Sequence, residues 1–79
     1  MTMKRVSRSS KKFVVCVRND GYPEALELRK LYRVVPDRKA SRVESIRVVD
    51  ESGEDYLYLA DFFANVTLAP GVSRALATA

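Results

Sequence analysis

Between Lys12 and Leu68 no apolar-patterned run exceeds six residues before proline, glycine, an Asn-Asp pair or a block of charge interrupts it. An amphipathic helix needs about ten to twelve residues of sustained 3.6-residue period, whereas a strand needs only about four to eight. The runs KFVVCV (12–17), LYRVV (31–35), IRVVD (46–50), DYLYL (55–59) and NVTL (65–68) therefore predict five short strands. In a chain of 79 residues these allow one small all-β domain. A domain of that size buries only about 60% of the surface its unfolded chain exposes, so its core is thin.

The connections carry their own chemistry. Arg18 to Arg29, RNDGYPEALELR, reads as a long loop with one helical turn at PEAL, since Gly21 tolerates positive φ and Pro23 fixes its own φ. Pro36 cannot donate a ladder bond and should end the second strand. The polar, charged stretch Asp37 to Glu44 is expected to be a mobile loop. In VDESGEDYLY, Asp50 to Gly53 fits a type I turn closed by a left-handed glycine. Strand 55–59 would carry Tyr56 and Tyr58 on one face and Leu57 and Leu59 on the other, and either face could be the buried one. Ala60 to Phe63 predicts a 3-10 turn. Pro70-Gly71 should end the domain, leaving residues 70–79 as a frayed tail.

Charge is distributed unevenly. Residues 1–12 hold Lys4, Arg5, Arg8, Lys11 and Lys12 with no acid, while residues 13–79 carry a net charge of −1. Within the latter, Arg29, Lys30, Arg33, Arg38, Lys39, Arg42 and Arg47 form a basic cluster, and residues 50–61 carry five acids and no base. Residues 1–11 therefore read as a basic, flexible N-terminal tail before a domain at 12–69. The single cysteine, Cys16, and the absence of histidine exclude an internal disulfide framework and a histidine-bearing zinc site. No eighteen apolar residues run together, and the first twelve residues lack a signal-peptide core, so a cytoplasmic protein without a membrane span is expected.

The string KLYRVVPD, followed by IRVVDESGEDYLY and by Phe63 in the next turn, resembles a largely uncharacterised group of small bacterial proteins expected to have an SH3-like barrel. The resemblance covers about residues 12–69. It implies a small five-stranded antiparallel SH3-like barrel, with one 3-10 turn before the last strand, and a bacterial cytosolic setting; it transfers no catalytic residue. Leu59 stands where such a string would carry proline. Proline-rich peptides dock on aromatic platforms that include tryptophan, and this chain has none, so a proline-rich ligand is disfavoured.

None of the candidate chemistries in the sequence is complete. A calcium loop counted from Asp50 would need glycine at position 6 and glutamate at position 12; glycine falls at position 4, and position 12 is Asp61. Cys16 has no histidine to activate it and sits between two valines, the setting of a small core residue. No catalytic, metal or cofactor residue is assigned, and a non-catalytic binding module is expected, working through an unidentified protein partner or self-association. The alternative is a nucleic-acid-binding accessory protein using Lys4, Arg5, Arg8, Lys11, Lys12, Arg29, Lys30, Arg33, Arg38, Lys39, Arg42 and Arg47 on phosphates. In either case Tyr56 and Phe62 are candidate contact or stacking residues.

Overall fold

The computed structural model describes residues 12–78. Its strands are β1 (Phe13–Cys16), β2 (Leu31–Arg33), β3 (Ser45–Val49), β4 (Asp55–Leu59) and β5 (Phe63–Asn65). All pairings are antiparallel, in a three-stranded sheet ordered β2-β1-β5 and a two-stranded β3-β4 sheet. The two sheets meet at an isolated bridge between Val34 and Val48, where the Val35 N–H donates to the Arg47 carbonyl at 2.8 Å. The expected closed barrel is not formed by these ladders: β4 and β5 are joined by a 3-10 turn, Ala60–Phe62, and do not pair.

The core follows from side-chain alternation. Val14 and Cys16 of β1, Tyr32 of β2, Val48 of β3 and Tyr58 of β4 turn toward one cluster, completed by Leu26 from the long loop and Phe62 from the 3-10 turn. Ala25, Val34, Ile46 and Phe63 pack around it. The tyrosine face of β4 is thus the inner one, and Leu57 and Leu59 face outward. The Tyr22 carbonyl accepts from both Ala25 and Leu26 N–H groups, closing the one helix-like turn expected at PEAL and placing Leu26 inside.

Three expectations are corrected. Residues 37–44 are not simply a loop: Arg38–Arg42 is a helix whose N-cap, Asp37, accepts from the Lys39 N–H at 3.0 Å, with Ala40 buried beneath it. The last strand lies at Phe63–Asn65 rather than 65–68, because Phe63 is already extended and pairs with Cys16. The stretch from Pro70 to Thr78 is a helix rather than a frayed tail. Proline is tolerated in a first helical turn, where its missing N–H has no intrahelical partner to lose.

The acid-rich hairpin is a turn. The Gly53 N–H donates to the Asp50 carbonyl and the Asp50 N–H to the Glu54 carbonyl, both at 3.0 Å, and Gly53 has φ of 87°. A Cβ at Gly53 would meet open space, so Gly53→Ala carries only the conformational cost. The substitution is expected to lower stability by about 1–2 kcal/mol, read from urea midpoints.

Candidate partner-binding groove

The carboxylates of the hairpin hold it to its neighbours. Asp50, 7% exposed, accepts from the Ser52 N–H at 2.9 Å, from Ser52 Oγ at 2.6 Å and from the Tyr58 hydroxyl. Glu51 accepts from the Tyr32 hydroxyl and pairs with Lys30 Nζ at 2.7 Å, and the Tyr32 oxygen in turn accepts from the Glu27 N–H. The Glu51 N–H donates to the Ala25 carbonyl, tying the hairpin to the long loop. No group of three or more histidine, cysteine or acidic side chains that could hold a metal ion occurs among the described residues.

This network makes stability depend on pH from both sides. Burial alone would raise the Asp50 carboxyl, but the hydrogen bonds from Ser52 and Tyr58 outweigh it and hold it below the usual range. Lys30 and then Tyr32 do the same for Glu51. Burial first, and then the bond to a carboxylate, push the Tyr32 and Tyr58 hydroxyls up. A lowered carboxyl contributes stability that is complete above its unfolded pKa of about 4 and is lost as pH falls through the folded value. A raised tyrosine contributes stability that is complete below about 10 and is lost as pH rises through its folded value. Thermal melts at constant ionic strength should give a plateau between about pH 5 and 9 with losses on both sides, and Tyr58→Phe should reduce the alkaline loss. A flat profile down to about pH 3 would contradict the network.

With β4 pinned at its start, its far edge is exposed. The Ala60 N–H donates to the Glu44 carbonyl and the Asp50 N–H to the Glu54 carbonyl, so the paired positions on this strand are the even-numbered ones. Ladder alternation then points the backbone groups of Asp55, Leu57 and Leu59 away from β3. The Leu59 carbonyl, at the N-cap of the 3-10 turn, closes that turn's first bond, so among the described residues the outward groups without a strand partner are those of Asp55 and Leu57 and the Leu59 N–H. Leu57 and Leu59, 44% and 55% exposed, line a groove of about 420 Å³. Arg18, Asp20 and Tyr22 of the long loop supply more of its lining, with Ser45, Tyr58 and Phe62. Tyr22 meets Tyr58 edge-on at 5.0 Å between ring centroids, Arg18 lies over the Phe62 ring, and Arg18 pairs with Asp20 at 2.7 Å. The groove thus has a main-chain edge and aromatic surface with a self-neutralised ion pair beside them.

Known protein families, curated proteins and solved structures offer no match to this chain.

The residues singled out in the sequence are scattered. Lys4, Arg5, Arg8 and Lys11 lie outside the described residues, and Lys12 is exposed just before β1. Lys30 is tied to Glu51, and Arg47 to Asp37 at 2.9 Å and more loosely to Asp55. Arg29 is exposed in a turn with φ of 67°, and Arg33 is half-buried in β2. Arg38, Lys39 and Arg42 are exposed together on the short helix. Tyr56 is 48% exposed and donates to Glu54, whereas Phe62, at 4%, belongs to the core and is withdrawn from the open surface. Sequence reasoning did not single out Arg18, Tyr22, Leu57 or Leu59; the alternation of DYLYL held the signal for the leucines, but the loop residues carried none. Cys16 is fully buried, its thiol donates to the Arg18 carbonyl, and burial pushes its pKa up, the opposite of an activated nucleophile.

Proposed function

We propose that this protein is a non-catalytic binding module built on a small SH3-like barrel, taking an extended segment of a protein partner into the groove beside β4. The observation that carries the reading is the unpaired edge of β4 opening onto an aromatic-lined groove. Main-chain pairing to such an edge supplies affinity, and a pocket for an alternate side chain supplies selection. The barrel reading is supported by the Val34–Val48 joint, which sets β2 beside β3 and gives the succession β5-β1-β2-β3-β4. A bacterial cytosolic setting rests on the sequence resemblance; no helix among the described residues is long and apolar enough to cross a membrane. Random-peptide display against the full chain, followed by an NMR titration, tests the function. Selected peptides should shift the amides of Tyr22, Leu57 and Leu59. Shifts confined to other surfaces would reject the groove.

A second reading is favoured by one observation: Arg38, Lys39 and Arg42 are exposed on one short helix with no ion-pair partner among the described residues. Such a patch suits phosphates. Anisotropy with labelled duplex DNA, single-stranded DNA and RNA at two salt concentrations tests it. Affinity that falls steeply with salt and is lost in an Arg38→Glu, Arg42→Glu variant supports it, and no binding at low salt removes it.

A further inference from the structure

We propose that the free edge of β4 receives an extended, positively charged segment of another protein, which extends the β3-β4 sheet by one strand. The inference rests on the groove reading above and adds the chemistry of the occupant. Asp55 and Leu57 each turn an N–H and a carbonyl outward and Leu59 its N–H, so a docked strand could form up to about five main-chain bonds over about 14 Å. Proteins usually blunt an edge of this length with lysine, proline or a bulge. β4 has no lysine or proline, and its register with β3 is continuous.

Charge selects the occupant. Of the five acids between residues 50 and 61, Asp50 is buried and Glu51 is paired with Lys30. Glu54 remains exposed at the start of β4, Asp55 beside it is exposed and held only loosely by Arg47 at 3.4 Å, and Asp61 lies just beyond the strand's end. The cation of the groove, Arg18, is held by Asp20. A second copy, paired about Leu57, would set its own acids against these, a like-charge arrangement that disfavours association. A strand with lysine or arginine at both ends, and an aliphatic side chain toward Tyr22, matches the edge and both acidic ends.

The test uses the full-length, isotope-labelled chain and two acetylated, amidated peptides, KVKVKVK and EVEVEVE, at two salt concentrations. The basic peptide should shift Leu57 and Leu59 amides saturably and bind about tenfold or more tightly than the acidic one. N-methylation of Leu57 in a synthetic full-length chain removes one outward N–H without touching the pairing to β3, and should weaken binding about tenfold. Replacing Glu54→Lys and Asp61→Lys together should reverse the preference. Equal binding of both peptides at these amides would overturn the charge inference and leave the groove reading standing. No shift of Leu57 and Leu59 with either peptide, or indifference to N-methylation, would overturn the groove reading itself. A dimer by light scattering that N-methylation returns to monomer would reassign the edge to a second copy. Equal competition by the peptide MTMKRVSRSSKK would reassign it to the chain's own N-terminal segment.

Discussion

Replacing Leu26 by alanine is expected to lower stability by about 2–5 kcal/mol, close to half of what a domain this small possesses. At roughly 0.05–0.15 kcal/mol per residue, the whole chain should be stable by about 4–12 kcal/mol. Leu26 has no exposed surface although it belongs to an otherwise exposed loop, and it packs in the same cluster as Val14, Val48 and Tyr58. Its carbonyl also accepts from Asn19 Nδ2 at 2.9 Å, which fixes the loop from the other side. The truncation removes a core side chain contributed by a segment with no sheet pairing of its own, so both the core and the groove wall carrying Tyr22 should loosen. Urea unfolding would show the loss as a lowered midpoint. An unchanged midpoint would mean that the loop does not anchor through Leu26.

Asp50→Ala should be the next most damaging change, at about 3 kcal/mol. The carboxylate is buried and collects bonds from the Ser52 N–H, the Ser52 hydroxyl and the Tyr58 hydroxyl. Removing it strands the Tyr58 hydroxyl in the core, and an unsatisfied buried polar group costs more than a made bond contributes. Tyr58→Phe removes the donor instead and leaves Asp50 two of its bonds, so a smaller loss of about 1–2 kcal/mol is expected. Because the two residues share one interaction, the double variant should lose less than the sum of the single losses. Strict additivity would show that the pair is not coupled.

These residues also mark how far the sequence could be read. β4 was legible residue for residue, because alternation and the Gly53 turn agree; the 3-10 turn after it was legible in place and type but is one residue shorter than read, Phe63 being already in β5. Which face of DYLYL is buried was not legible, since both faces are apolar; it is Tyr58 that is buried, with its hydroxyl on Asp50 eight residues away. The Arg38–Arg42 helix was hidden by its charge, although Asp37 after Pro36 was a usable capping signal. The C-terminal helix was hidden because Pro70-Gly71 reads equally as a stop or as a first helical turn. The groove was the least legible part. It unites loop residues Arg18 and Tyr22 with the outer leucines of β4, and no local pattern announces a juxtaposition made by the path of a long loop.

Amide hydrogen exchange along β4 in the free, full-length protein tests most directly whether that edge stands open. The N–H groups of Tyr56 and Tyr58, facing β3, should exchange about a hundredfold or more slowly than those of Leu57 and Leu59, which should exchange near free-chain rates. Equal, strong protection at all four positions would mean that the edge is already covered, and would contradict the proposal that β4 is a vacant place for a partner strand.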